Sequence, residues 1–200
     1  MRLAAIEDAD DLARVHVDTW RAAYVGLIPE PVIASMFLAT SIERWRTMRP
    51  APPCHCPVAV AVAVAVAVDD GGTTIGFVRC GPSRDEEVTG STGEVHALYV
   101  HPEHWRTGAG RELLGSATEE LRSDGFTDAT LWVLTHNDRA RRFYERCGWR
   151  TDGRSRHDQR EGAVLDEVRY RRHLAVASCC RRCCSPPRSA LTRVPGSEWG

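Results

Sequence analysis

Lysine is absent from the sequence: all 26 basic residues of the 200-residue chain are arginine. A chain without lysine has no side-chain amine with which to form a Schiff base with a carbonyl substrate. It also lacks the lysine with which a Walker-type loop contacts the phosphates of a nucleotide. The absence therefore excludes lysine-based covalent catalysis and nucleotide hydrolysis at a P-loop.

Long apolar runs and an export leader are absent too. No apolar stretch approaches the roughly 20 residues that a membrane-spanning helix needs. The first residues do not show the order of charged, apolar and small residues of a secretory signal. The formal net charge of −1 gives no bulk attraction to nucleic acid or to an anionic membrane. We therefore expect a cytoplasmic protein with no nucleic-acid or membrane partner.

Cysteine is present eight times, but its distribution does not indicate a disulfide framework. Four of the eight cysteines crowd into residues 175–200. The sequence Cys54-His55-Cys56 contains three potential metal ligands, yet adjacent ligands on a short loop rarely surround one tetrahedral ion. We expect reduced thiols and no metal site.

The most informative stretch covers residues 93–114. Residues 95–100 are apolar or aromatic enough for a buried strand, Pro102 ends that strand, and the leucines that follow have helical spacing. The loop between the two elements ends in Gly108 and Gly110. Such a loop directs free backbone N–H groups and the positive end of a helix dipole at one point. The stretch therefore predicts a phosphate or pyrophosphate site.

Hydrophobic periodicity and turn residues predict strands and helices around this stretch. In the first half we expect a short strand at 2–6, a helix to about 24, and two short helices, one starting at Pro31 and running to about 37 and one at 42–48 capped by Ser41. A Pro-rich linker at 50–57, hairpin strands at 58–68 and 74–80, and a mobile, solvated acidic loop at 81–92 are expected to follow. In the second half we expect a helix to about 124, a strand at 129–134 parallel to 95–100, a helix from Asn137 to Gly148, and antiparallel strands at 149–156 and 164–170. Residues 175–200 have lost apolar periodicity, which predicts disorder.

This order of elements, together with two motifs, resembles the GCN5-related N-acetyltransferase (GNAT) family. The first motif is A-L-Y-V-x-P followed by W-R-T-G-A-G-R, in which Gly108 and Gly110 match the family's pattern and Trp105 replaces its arginine or glutamine. The second is L-W-V-L-T-H-N-D-R-A-R-R-F-Y-E-R-C-G-W at 131–149. The resemblance implies an α/β (α+β) single-domain GNAT-like fold over 1–174, with a central mixed, mostly antiparallel sheet, a splayed parallel strand pair and flanking helices.

The resemblance also implies where acetyl-CoA binds as co-substrate. Its pyrophosphate is expected on main-chain N–H groups of the glycine loop, and its pantetheine arm on the main chain of the central strand. Asn137 is expected to bond the arm or to cap a helix, and the two roles are compatible. The cofactor-binding residues implied in this way are Leu98, Tyr99, Val100, Arg106, Thr107, Gly108, Ala109, Gly110, Arg111 and Asn137.

Acyl transfer from a thioester to an amine needs a base for the amine and a proton for the departing thiolate. Tyr144 is the expected acid, because it lies one helical turn after Ala140 on the same side. Glu94 is the expected base, acting directly or through water; the alternative is an exposed strand-end glutamate. His96, two residues further on, is a second candidate base.

The predicted activity is acetylation, by acetyl-CoA, of a primary amine on an unidentified small molecule or protein, by direct transfer in a ternary complex. The expected partners are acetyl-CoA and the amine, with a homodimer as one expected assembly. The alternative function is an acyl-CoA-binding regulatory module without turnover, an alternative motivated by Trp105 and by the undecided base.

Overall fold

The structure, a computed structural model, describes residues 1–47, 63–85, 90–160 and 163–174. Within these ranges the helices are α1 (Ala9–Ala23), α2 (Glu30–Ala34), α3 (Leu38–Thr47), α4 (Ala109–Ser123) and α5 (Asp138–Arg146). The strands are β1 (Arg2–Leu3), β2 (Ala63–Val68), β3 (Thr74–Pro82), β4 (Thr92–Val100), β5 (Asp128–Leu134), β6 (Arg150–Arg160) and β7 (Ala163–His173).

The strands form one seven-stranded sheet in the order β1-β2-β3-β4-β5-β7-β6. All neighbouring pairs are antiparallel except β4 and β5, which are parallel. The predicted mixed sheet and its parallel pair are therefore confirmed. β4 and β5 pair only at their beginnings, where residues 92–94 of β4 lie beside residues 128–130 of β5. Beyond that point β4 stays with β3 and β5 stays with β7, so that the two parallel strands separate.

A β-bulge marks the place where the two strands separate. Arg79 of β3 pairs with Ala97 of β4, whereas Cys80 pairs with Val95, so His96 is an extra residue without a partner opposite. A bulge of this kind bends its strand and increases its twist. The bend directs the second half of β4 away from β5.

Helices cover both faces of the sheet. On one face, Leu113 and Leu121 of α4 pack with Trp149 and Tyr170 in the larger core cluster. On the other face, apolar residues of α1 pack against Phe77 of β3. The helical spacing of apolar residues in α1 and α4 explains this, because it places one stripe of each helix against the sheet.

The two short helices differ from the prediction in their bounds. α2 begins at Glu30 with Pro31 in its first turn and ends at Ala34. α3 begins at Leu38, and Ser41 is not its cap, because the Ser41 N–H already donates to the Phe37 carbonyl as in a helical turn (3.0 Å). Several predictions concern segments outside the described residues. These segments are the linker at 50–57 with Cys54 to Cys56, the first part of the Val/Ala strand at 58–62, and the segment at 175–200.

We expect Gly76→Ala to destabilise the fold, because β3 and β4 approach closely there. A Cβ at position 76 would lie 2.9 Å from the Tyr99 carbonyl oxygen and 3.0 Å from Leu113 Cδ1. Overpacking of this kind costs about 1–3 kcal/mol of unfolding free energy. Gly115→Ala in α4 is the control, since nothing lies within 4 Å of its added Cβ and the helix should gain about 0.5–1 kcal/mol. Denaturant unfolding measures both variants, and equal stability of Gly76→Ala and wild type would contradict the expectation.

Candidate active site

A cleft of about 1100 Å³ occupies the gap between β4 and β5. Residues of α1 and of the segment after it line one side, and residues of α4 and α5 line the other. The cleft therefore passes through the sheet and is lined from both faces. Its lining includes these predicted site residues: Glu94, His96, Leu98, Tyr99, Val100, Arg106, Gly108, Gly110, Arg111, Asn137 and Tyr144.

The glycine loop lies at one end of the cleft, at the N-terminus of α4. Arg106 has φ +68° and Gly108 has φ +103°, so the chain turns sharply just before the helix. The left-handed conformation is uncommon for a residue other than glycine, and such strain concentrates at ligand sites. In the first turn of α4 the Arg111 N–H donates to the Gly108 carbonyl (2.9 Å) and the Ala109 N–H lies 3.5 Å from Thr107 Oγ1. The Gly110 N–H has no such partner among the described residues, and at a helix N-terminus it suits a phosphate group.

Two predicted loop residues do not line the cleft with their side chains. The Thr107 hydroxyl donates back to the His104 carbonyl (2.8 Å), and Ala109 packs on the core cluster beneath α4. The contribution predicted for them was a main-chain one, and the structure leaves that prediction untested. Their side chains shape the loop.

Trp105 occupies the motif position where the sequence departs from the family's pattern. Its indole N–H donates to the Val100 carbonyl (2.7 Å), which fixes the ring against the end of β4. The guanidinium of Arg139, from the first turn of α5, lies over the ring with Cζ 3.5 Å from the centroid. The sequence analysis did not identify Arg139, because only the folded chain brings it to Trp105.

The second half of β4 presents main-chain groups to the cleft. The His101 N–H donates to Ile75 on the β3 side (2.8 Å). Because main-chain groups alternate along a strand, those of Leu98 and Val100 point toward β5, into the gap, and those of Tyr99 point toward β3. Tyr99 thus lines the cleft with its ring rather than with its main chain, and its hydroxyl accepts from Trp20 Nε1 (3.1 Å).

The Val100 carbonyl already has two donors. Thr19 of α1 donates to it through its hydroxyl (3.0 Å), and Trp105 is the second donor. A carbonyl oxygen has two lone pairs, so both are engaged. Three other main-chain groups point into the gap: the N–H of Val100, and the N–H and carbonyl of Leu98. Neither Thr19 nor Trp105 bonds to them.

Asn137 is the N-cap of α5, as one of its two predicted roles requires. Its side-chain oxygen accepts the N–H of Ala140 (3.1 Å), and the residue is buried at the cleft wall. The side-chain amide N–H groups remain as donors. A role in binding the pantetheine arm stays a prediction.

Tyr144 lies in the middle of the cleft wall, between the two ends. Its ring contacts Phe143 and lies 6.2 Å from the ring of Tyr170. Burial raises the pKa of Tyr144 well above its ordinary value, and the nearby Tyr99 adds to the shift. The phenol therefore keeps its proton across the usual range of pH.

Glu94 is a buried carboxylate and not the exposed strand-end residue of the alternative interpretation. It is only 1% exposed. One oxygen accepts the main-chain N–H of Arg84 (2.9 Å) and the other accepts its guanidinium (2.6 Å). Both oxygens of the predicted base are therefore engaged by the same residue.

His96, the bulge residue, has a defined tautomer. Its Nε2 lies 3.0 Å from the Pro82 carbonyl, and because a carbonyl only accepts, Nε2 carries the proton. Nδ1 then holds the lone pair, and it has no hydrogen-bond partner among the described residues. Burial lowers the pKa of His96, so the ring is neutral near pH 7.

A cluster of charged residues surrounds Trp132, and three of its members, Trp132, Arg156 and Glu167, line the cleft. The cluster was not predicted from the sequence. Arg156 lies over the indole ring (4.3 Å to the centroid) and pairs with Glu167 (2.7 Å). Asp85 accepts the Trp132 indole N–H and a guanidinium N–H of Arg169, each at 3.0 Å. We call these five residues the Trp132 cluster. Its charges are paired.

At Asp85 the Trp132 cluster corrects the prediction of a solvated, mobile loop at 81–92. The Asp85 side chain is 13% exposed and bonded to β5 and β7, and β3 itself continues to Pro82. Glu86 and Glu87 lie outside the described residues. A signal was present in β7, where Glu167 and Arg169 take the inward positions of the two-residue period.

Two features were looked for in the described parts of the chain. No group of three or more His, Cys, Asp or Glu side chains there is arranged to hold a metal ion. Among the same residues, no helix has the length and apolar character that crossing a bilayer requires.

Known proteins resemble this chain in sequence and in structure. A family model described as "Acetyltransferase (GNAT) family" matches residues 30–149 of the chain. The uncharacterized N-acetyltransferase YuaI of Bacillus subtilis (strain 168) is 35% identical over 137 residues, 68% of this chain and 72% of YuaI. The ribosomal-protein-alanine N-acetyltransferase of Brucella melitensis aligns with TM-score 0.64 and 22% identity over 86% of this chain and 98% of the other.

A second solved structure is the PaiA N-acetyltransferase of Thermoplasma acidophilum in complex with coenzyme A. It aligns with TM-score 0.59 and 20% identity over 86% of this chain and 96% of the other. The two structures share the fold with this chain. The predicted resemblance is confirmed: the chain belongs to the acetyltransferase (GNAT) family and is an acetyl-CoA-dependent N-acetyltransferase.

Proposed function

We propose that the protein acetylates a primary amine of a small molecule or of a protein by direct transfer, with both substrates bound in the cleft at once. The observation that carries this proposal is the cleft through the sheet, which is lined from both faces. The donor is placed on the α4 and α5 side, and the acceptor on the side of α1 and the Trp132 cluster. Direct transfer then needs no covalent enzyme intermediate and no lysine.

The residues of the donor side fit acetyl-CoA. The glycine loop before α4 presents N–H groups to the pyrophosphate, and the inward-facing main chain of Leu98 and Val100 pairs with the pantetheine arm. Asn137 lies at the same wall and donates through its side-chain amide. When bound, acetyl-CoA supplies an activated acetyl group as a thioester.

Tyr144 is proposed as the donor to the departing sulfur. Its phenol keeps its proton because burial raises its pKa. The same burial raises the pKa of a thiol beside it, so that a sulfur leaving in this wall also holds a proton readily. A hydrogen bond from the Tyr144 hydroxyl stabilises negative charge on that sulfur as the bond to carbon breaks.

His96 is proposed as the base in preference to Glu94. A base needs a lone pair without a competing donor, which Nδ1 of His96 has and the Arg84-bound oxygens of Glu94 lack. In this arrangement Glu94 holds Arg84 in place at the cleft wall. His96 accepts the proton of the amine at Nδ1, directly or through one water, while Nε2 stays bonded to Pro82.

The identity of the amine is left open in this proposal. The Trp132 cluster has matched charges, so the acceptor end attracts neither polycations nor polyanions by net charge. Acetylation is tested by release of free CoA thiol over a panel of small primary amines and peptide N-termini. Binding of acetyl-CoA with no acetylation of any of them would favour the regulatory module without turnover.

We expect Tyr144→Phe to lower kcat about 100-fold while the affinity for CoA stays near wild type, because only a proton donor is lost. The measurement is steady-state kinetics together with calorimetric CoA binding. Tyr170→Phe is the matched control: it removes a phenol bonded to Glu145 (2.7 Å) outside the cleft, and should lower stability without lowering kcat. Equal kcat in Tyr144→Phe and wild type would remove Tyr144 from the chemistry.

We expect the acid limb of the pH profile of kcat/KM to lie below about pH 6.5, the ordinary imidazole value. A base works when unprotonated, and burial lowers the pKa of His96, so activity extends to lower pH. His96→Gln keeps a donor to Pro82 but has no titrating lone pair. It should lower kcat/KM by about 10² and remove the acid limb.

Glu94→Gln serves as the comparison for this experiment. It should weaken the attachment of Arg84 and lower the melting temperature, yet retain the acid limb. An acid limb that persists in His96→Gln and disappears in Glu94→Gln would assign the base to Glu94.

A further inference from the structure

The stacked pair of Trp105 and Arg139 joins the glycine loop to α5 at the phosphate end of the cleft. The Trp105 ring is fixed by its bond to the Val100 carbonyl (2.7 Å), and Arg139 Cζ lies 3.5 Å from its centroid. A guanidinium held flat on an indole loses much of the rotational freedom of an arginine side chain. The ring thus presets the position of the charge.

Arg139 differs from the arginines at the other end of the cleft in having no anionic partner. Arg84 and Arg156, which line the cleft there, each pair with a carboxylate. Arg139 forms no ion pair and no hydrogen bond with any residue that the structure describes. It lines the cleft as a cation whose five N–H donors are available.

A second cation lies close to Arg139. Partial desolvation lowers the pKa of Arg139, and the charge of Arg106 lowers it further. Arg106 is the left-handed residue of the glycine loop and also lines the cleft. Two like charges beside a loop of free N–H groups repel each other, and an anion bound between them removes that repulsion.

We propose that Arg139, held on the Trp105 ring, pairs with the pyrophosphate of CoA and supplies, from α5, a positive charge beside the glycine loop. The inference rests on the proposed function, since it requires CoA in the cleft. A guanidinium suits the task because its planar fork contacts two phosphate oxygens at once. Trp105 then acts as a positioning residue.

The test measures CoA binding by calorimetry in four proteins: wild type, Arg139→Met, Trp105→Leu and the double variant. We expect each single variant to bind CoA about tenfold more weakly, because one charge-assisted contact is lost. The double variant should be no weaker than Arg139→Met alone, because the two residues act as one unit. Additive losses would overturn the positioning role of Trp105.

Controls separate charge, fold and phosphate group. Arg122→Met removes an equal charge from α4, where Arg122 pairs with Glu119, and should bind CoA like wild type. Trp105→Phe keeps an aromatic face and loses only the indole N–H, so it should retain more affinity than Trp105→Leu if the variants fold equally by circular dichroism. Acetyl-pantetheine, which has no phosphate, should bind Arg139→Met and wild type equally.

Dephospho-CoA distinguishes the two phosphate groups of the ligand. The tenfold loss in Arg139→Met should persist with dephospho-CoA, which keeps the pyrophosphate and lacks the 3′-phosphate. A loss seen only with CoA would move the contact to the 3′-phosphate and overturn the assignment. If Arg139→Met binds CoA as tightly as wild type and still transfers acetyl groups, the inference alone is overturned. If the wild-type protein itself binds no CoA, the proposed function is overturned as well.

Discussion

The extra residue at position 96 is the constraint on which the site depends. Without it, β4 and β5 would continue the parallel pairing that begins at Thr92 and Asp128, and the main-chain groups of Leu98 and Val100 would bond to β5. The bulge leaves those groups directed into an open gap. It also places the His96 ring at the cleft wall, where the Pro82 carbonyl selects one tautomer. One inserted residue thus creates both the space for the substrates and the orientation of the proposed base.

Arginine performs all the cationic roles in this chain, and its geometry accounts for how the charges are arranged. At the Trp132 cluster, guanidinium groups lie over an indole and also bond carboxylates, which an ammonium group does not do equally well. These pairs neutralise the carboxylates Asp85 and Glu167 at the cleft wall. At the opposite end, Arg139 has the same type of stacking without a carboxylate. Because the arginines of the Trp132 cluster have carboxylate partners, that cluster is structural. Because Arg139 has none among the described residues, its end of the cleft is suited to binding an anion.

Local patterns predicted the elements and the residues that they place directly. Gly108, Asn137 and Tyr144 were found because a turn, a cap and a helical period are visible within a few residues of sequence. Contacts between distant segments were not predictable in this way. Arg139 contacts Trp105, and Asp85 contacts Trp132, only when α4, α5 and β5 are packed together in the fold. The burial of Glu94 and its pairing with Arg84 were unpredictable for the same reason, since they depend on the segment after β3 lying alongside β4.

The sheet order has a consequence for how the chain folds. β7 is the last strand in chain order, but it lies inside the sheet, paired with β5 on one side and β6 on the other. Until β7 is synthesised, β5 has an unpaired edge along Asp128–Leu134, which is the kind of edge that invites wrong pairing with other chains. Closing that edge joins segments far apart in sequence, and such pairing is slow. The wall that carries Trp132 is therefore completed late, so a nascent or truncated chain that has its glycine loop still lacks the opposite half of its site.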